Sequence, residues 1–272
     1  MPFVRTGDLV TYYELSGPSG APVVAFANSL GTNVHIWDAQ RDAFARTFRV
    51  LRYDMRGHGL TSAGTPGRVI SIATLADDLA ALLDALAIPS VRLVGLSIGG
   101  MVAQRFAAAY PHRVDALVLC ATGSRIGTSE VWQTRIATVE REGIGAIVEA
   151  TMERWFTPRA HREQPVLVAG FATMLARAPL SGYVAGCRAI EVADLRADDA
   201  GITAPTLVVA GAGDVVTPPA SGEELCALIG GAELVVLDDA AHILCAEQPA
   251  AFDAAVLGFL SGARAARNGA AR

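Results

Sequence analysis

The sequence predicts an α/β fold: a mostly parallel central sheet flanked by helices on both faces, with a helical cap inserted after the sixth strand. Three observations carry this. Short apolar runs alternate with segments whose apolar residues recur at helical spacing. The runs are apolar on both faces, as strands covered from both sides must be. Between about residues 125 and 195 the alternation stops, helical periodicity alone persists, and the alternation then resumes.

The elements follow in order. "FVRT" and "LVTYYEL" read as short strands, and "APVVAFANS" as a buried one with Pro22 at its edge. "VHIWDAQRDAFA" has helical spacing, "FRVLRYD" is a strand, and "MRGHG" is a turn. Ile72, Leu75, Leu79, Leu82, Leu83 and Leu86 mark one face of a helix. The strand "VRLVGL" leads into a helix from Ile98 to about Tyr110, which Pro111 stops, and "RVDALVLCAT" is the sixth strand. In the helical stretch Trp132, Ile136 and Val139 share a face, as do Ile144, Ile147 and Val148, and Phe171, Met174 and Leu175. "APTLVVAGAGD" restores the strand pattern, followed by the helix "SGEELCALIG", the strand "AELVVLDD" and a last helix from about Gln248 to Leu260. The tail "GARAARNGAAR" reads as frayed or as an extension of that helix. The domain reading is a core of residues 1–124 and 196–272 and a cap of 125–195, seated over the carboxyl edge of the sheet, where open α/β sheets bind ligands.

At 272 residues, 52% of them apolar, the chain is long enough to bury a core without staples. The net charge of −5 is spread without a basic stripe, which argues against a nucleic-acid partner. No run reaches the roughly 18 apolar residues of a membrane span, and Met1-Pro2-Phe3 opens no signal peptide. Cys120, Cys187, Cys226 and Cys245 have no metal-binding or disulfide spacing, and three of them sit among apolar neighbours. A soluble protein of the reducing cytoplasm, with no membrane partner and no metal, is the expectation. Oligomeric state is open.

Gly95-Leu96-Ser97-Ile98-Gly99 fits G-x-S-x-G between a strand and a helix. At so sharp a turn, side chains on the glycines would clash, and the serine is pushed out of the end of the sheet at a helix N-terminus. A serine hydroxyl needs a base, and the base an orienting acid. His242, after the last strand, is the candidate base. His58 reads as a turn residue, His35 as a helix opener able to line a pocket mouth, and His112 and His161 as solvated. Asp214, after "TLVVAGAG", is the candidate acid; Asp238 and Asp239 lie too near His242 in sequence and read as turn residues. An oxyanion hole needs two fixed N–H donors: Ile98, and Leu30 of "NSLGT", with Ser29 in reserve.

"GLSIGG", "RYDMRGHG", "GAGD" and "AHILCAEQP" resemble the α/β-hydrolase superfamily. "NSLGTNVHIWDAQ", "RVLRYDMRGHGLTSA", "SRIGTSEVWQTRIATVEREGIGAIVEATMERWFTP" and "YVAGCRAIEVADLR" resemble the 3-oxoadipate enol-lactonases of the β-ketoadipate pathway over nearly the whole chain. The resemblance implies a small anionic lactone as substrate, an acyl-enzyme on Ser97, and no cofactor. Among the cap arginines, Arg135 shares a helical face with Trp132 and is the first candidate for the substrate carboxylate; Arg154, beside Trp155, is the second. A carboxylesterase or C–C bond hydrolase with the same triad, and a low-turnover small-molecule receptor on this fold, are the rival readings.

Overall fold

The structure, a computed structural model, describes residues 2–270, with side chains described for residues 2–262. Two strands open the chain, β1 (Phe3–Thr6) and β2 (Leu9–Ser16), paired antiparallel with each other. The classical right-handed alternation follows: β3 (Val23–Ala27), a 3-10 turn (Val34–Trp37) running into α1 (Asp38–Phe44), β4 (Arg49–Tyr53), α2 (Ile72–Ala85), β5 (Val91–Leu96), α3 (Ile98–Ala109) and β6 (Val114–Cys120). Five helices intervene: α4 (Ser129–Glu142), α5 (Val148–Trp155), α6 (Pro158–Glu163), α7 (Pro165–Ala176) and α8 (Leu180–Glu191). The chain closes with α9 (Arg196–Asp199), β7 (Thr206–Gly211), α10 (Pro219–Leu228), β8 (Glu233–Leu237), α11 (Leu244–Glu247) and α12 (Pro249–Ala270).

The sheet has eight strands in the order β1-β2-β4-β3-β5-β6-β7-β8. β2 meets β4 antiparallel, and every pair from β4 to β8 is parallel. The parallel strands therefore end on one edge, and the loops after β3, β5, β7 and β8 gather there. β5, β6 and β7 are almost wholly buried, which accounts for their unbroken apolar runs.

The last helix differs from its periodicity. Pro249 sits at its first position, where a missing N–H costs nothing, and a separate short helix, α11, precedes it. It continues to Ala270, so the tail extends it; Ala271 and Arg272 of the predicted frayed end lie outside the described residues. Among the described residues no single helix is long and apolar enough to cross a membrane.

The two ends of the helical segment meet. Leu195 N–H donates to Ser124 O at 2.9 Å, and Ser124 Oγ–H to Asp199 Oδ2 at 2.5 Å. Asp199 is fully buried and its Oδ1 has no partner among the described residues. Desolvation pushes this carboxyl up to about 7; the Ser124 hydrogen bond opposes that, and the charges of Asp198, Glu224 and Asp194 add to it.

An aspartate in the unfolded chain titrates near ~3.9, so between there and about 7 the folded chain holds a proton that the unfolded chain has lost. Stability from this group is complete below the unfolded value, declines as pH rises through the window, and is lost above it. Asp199→Asn, neutral at every pH, is expected to remove that decline: its melting temperature relative to wild type rises from pH 5 to pH 8. A difference that stays constant across this range in thermal denaturation counts against the assignment.

Candidate active site

Ser97 stands between β5 and α3 with φ 59° and ψ −120°, a backbone state that costs a non-glycine residue about 1–3 kcal/mol unless its surroundings impose it. Its surroundings do. Ser97 N–H donates to Cys120 O at 3.0 Å, and its carbonyl accepts from Met101 N–H at 3.1 Å and Thr122 Oγ–H at 2.8 Å. The glycines permit the turn: a Cβ on Gly95 would lie 2.2 Å from Gly99 O, and one on Gly99 2.3 Å from Ala27 O.

His242 and Asp214 come together from the loops after β8 and β7. His242 Nδ1–H donates to Asp214 Oδ2 at 2.9 Å, both residues being buried. This tautomer follows from the hydrogen-bond network and leaves Nε2 as a proton acceptor. The carboxylate is further fixed by Val216 N–H at 2.7 Å, Thr217 N–H at 3.1 Å and Thr217 Oγ–H at 2.7 Å. Burial works to raise the Asp214 carboxyl, but His242 and the Thr217 hydrogen bonds outweigh it and hold the group below its ordinary value. Ser97 and His242 line one cavity, yet no hydrogen bond joins them among the described residues. Catalytic hydrogen bonds of this kind often close only around bound substrate.

Leu30 and Ile98 each carry an N–H without a partner among the described residues. The loop bearing Leu30 is pinned on both sides. Thr32 N–H and Oγ–H donate to Ser29 O at 3.2 and 2.7 Å, and Asn28 binds Tyr53 O and Trp37 Nε1–H at 2.8 and 2.9 Å. Ser29 and Leu30 face the cavity with Ser97; the Ile98 side chain is fully buried behind it.

The cavity encloses about 590 Å³ of empty space, its mouth included, under α4, α5 and α8. Trp132, Arg135, Arg154 and Trp155 all line it. Arg135 Nη1 donates to Tyr183 OH at 3.0 Å and to Thr151 Oγ1 at 3.4 Å, and its guanidinium lies 6.0 Å from the Trp132 ring centre. Neither Arg135 nor Arg154 has an ion-pair partner among the described residues, whereas eleven other arginines are paired. Burial, then the like charge of Arg135, pushes Arg154 below its ordinary value, with Asp214 and Tyr183 acting the other way. An unpaired pair of half-buried guanidiniums favours an anion between them.

Two sequence expectations need correction. His35 does not border this cavity; it is exposed, pairs with Asp38 at 3.0 Å and lines a separate surface cleft. His161 is half-buried rather than solvated, its Nε2–H donating to Met152 O at 3.1 Å, because α6 folds back onto α5. His58 is buried in its turn, with Nδ1 3.1 Å from Arg56 O, and burial lowers it below its ordinary value.

A family model described as the alpha/beta hydrolase fold matches residues 22–249. The chain is an α/β hydrolase. It is 38% identical to 3-oxoadipate enol-lactonase 2 of Acinetobacter baylyi over 92% of this chain and 92% of that protein. The crystal structure of the enol-lactonase from Burkholderia xenovorans LB400 superimposes with a TM-score of 0.92 at 37% identity, covering 96% of this chain and 100% of that one. A protein of Variovorax paradoxus named for carbamate hydrolysis, RutD, is 30% identical over 92% of this chain and 96% of its own.

Sequence reasoning missed several supports of the hydrolase site. Thr217 clasps Asp214, and the Asp-x-x-Thr spacing of "DVVT" is the available signal, since a side-chain oxygen there reaches backbone N–H groups two and three residues on. Thr122 was legible only through strand register: Leu96 lies opposite Cys120, which puts Thr122 beside the serine turn. Tyr183, in the first turn of α8, gave no local signal.

Gly95→Ala is expected to destabilise the hydrolase by ~3 kcal/mol or more, the upper range for overpacking, because backbone rather than a mobile side chain occupies the space. Urea unfolding checks this; a change within about 0.5 kcal/mol, typical of a surface substitution, would show that β5 and α3 can part cheaply.

Proposed function

We propose that the hydrolase opens 3-oxoadipate enol-lactone to 3-oxoadipate through an acyl-enzyme on Ser97. The observation that carries this reading is the placement of two unpaired guanidiniums, Arg135 and Arg154, in the cavity that also holds Ser97 and His242. The likeness to enol-lactonases supports the lactone as the particular substrate. A carboxymethyl lactone presents both an electrophilic carbonyl and an anion, and the cavity offers a nucleophile and cations to match.

Ser97 Oγ attacks the ring carbonyl while His242 Nε2 takes its proton, and Asp214 steadies the imidazolium through Nδ1. The oxyanion is received by the N–H groups of Leu30 and Ile98, each such donor being worth about 3 kcal/mol of barrier. The ring C–O bond breaks and expels an enolate, which is reprotonated and settles as the ketone. A water deprotonated by His242 then attacks the acyl carbon and returns the Ser97 hydroxyl. Arg135 holds the substrate carboxylate against the Trp132 face, with Tyr183 and Thr151 fixing the guanidinium.

Loss of lactone absorbance provides the assay. Ser97→Ala is expected to lose roughly 10⁴- to 10⁶-fold in kcat. Arg135→Ala is expected to lose about 10- to 100-fold in kcat/KM for the anionic lactone, the value of a hydrogen bond to a charged group, and to retain cleavage of a neutral ester. Equal losses on both substrates remove Arg135 from carboxylate binding, and a wild-type protein that cleaves neutral esters but not the lactone ends the lactonase reading.

A further inference from the structure

Glu247 lies five residues after His242, at the end of α11, and is 2% exposed. Among the described residues no cation pairs with it; three neutral donors meet its carboxylate instead. Ala241 N–H, in the residue just before His242, donates to Oε2 at 2.8 Å. Thr157 N–H donates to Oε1 at 3.0 Å, and Thr157 Oγ–H donates to the same oxygen. Thr157 belongs to the turn between α5 and α6, two residues after Trp155 and three after Arg154.

The same turn holds the other side of His242. Ile243 N–H donates to Trp155 O at 3.1 Å. The N–H groups of the two residues flanking His242, Ala241 and Ile243, are therefore tied, one through Glu247 and one directly, to the end of the helix that carries Arg154. A buried carboxylate without a cation is a costly way to join two loops, and an apolar contact would do it more cheaply. What the carboxylate adds is direction: it orients the Ala241 N–H and through it the backbone of the next residue. Ser97 and His242 are not closed into a hydrogen bond, so a small displacement of this backbone decides whether they meet.

We propose that Glu247 is a positioning residue, latching the α5–α6 turn to the N–H of Ala241, the residue before His242, and so setting the imidazole against Ser97. The proposal rests on the assignment of Ser97, His242 and Asp214 above, and Glu247 itself touches no substrate. It also makes the α5–α6 turn part of the catalytic apparatus, so that the segment bearing Arg154 and the base move as one body.

The test is steady-state kinetics on the full chain with p-nitrophenyl acetate and, separately, the enol-lactone. Glu247→Gln keeps the shape and sets an amide N–H₂ against a backbone donor. Its kcat for the ester is expected to fall roughly 10- to 100-fold, the penalty for shifting a reacting group by about 1 Å, while KM stays within about threefold. Thr157→Val is expected to lose about three- to tenfold in kcat, and Thr157→Ser, which keeps the hydroxyl, to stay within about twofold of wild type. A folded Glu247→Gln with kcat within about twofold of wild type, or with its loss confined to KM, overturns the proposal. If Glu247→Gln does not fold, Thr157→Val decides by the same two criteria. Because the ester carries the readout, a failure on the lactone alone counts against the substrate assignment and leaves the Glu247 result intact.

Discussion

The close approach of β5 to α3 is the constraint from which the rest of the site follows. With no side chain at Gly95 or Gly99, the backbone turns from strand to helix within one residue, and that residue, Ser97, is held at φ 59°. The strain persists because both of its backbone polar groups are hydrogen-bonded to neighbouring elements. The turn points the hydroxyl out of the sheet and leaves the first N–H of α3 without an intrahelical partner. The proposed nucleophile and anion-stabilising donor thus arise from one backbone feature. The parallel sheet brings the remaining groups to the same edge, since β3, β7 and β8 end on the same side of the sheet as β5 and deliver Leu30, Asp214 and His242.

Electrostatics divides the site in two. Below, Asp214 receives four hydrogen bonds and is committed to His242, so it has little capacity left to neutralise the cap. Above, Arg135 and Arg154 stand in a partly buried space without a carboxylate of their own. Some exposed arginines are paired with acids close in sequence, as Arg141 is with Glu142 and Arg196 with Asp194, and such exposed pairs contribute little. Arg135 and Arg154 differ in lining the cavity that holds Ser97. The helical segment packs closely on the core: a Cβ on Gly182 of α8 would fall 1.8 Å from Gly57 O, so the helix lies directly on the turn after β4.

Much of this was legible in the chain. The alternation of apolar runs and helical faces is a local property, and it located β3 through β8 and the helical stretch between β6 and β7. The serine turn was legible because its G-x-S-x-G pattern is local and Gly95 meets Gly99 only four residues on, although Gly99 itself lies against Ala27 of β3. Asp214 and His242 were legible because each follows a strand at an edge that parallel connectivity makes common to all. The supports were not. Thr122 and Glu247 reach Ser97 and Thr157 across 25 and 90 residues, and no periodicity encodes such distances; Thr217 bonds Asp214 three residues away and left only the short spacing of "DVVT" as a signal. His161 and His35 went astray for the same reason: whether a histidine on a short helix meets solvent, a carbonyl or a cavity depends on which element folds over it.

What the sequence determined by itself is the chemistry at the sheet's edge: a strained serine, a base and an acid, each announced by a strand end and its turn. Periodicity and turn geometry are short-range, and residues a few positions apart suffice to specify them. Only the tertiary structure decided which cations face that chemistry. Eight arginines lie in the helical segment, and their spacing alone could not separate those that pair with acids or stand exposed from the two that line the cavity. That choice was made by the packing of α4, α5 and α8 over the sheet, which half-buries two guanidiniums where no acid among the described residues forms an ion pair with them.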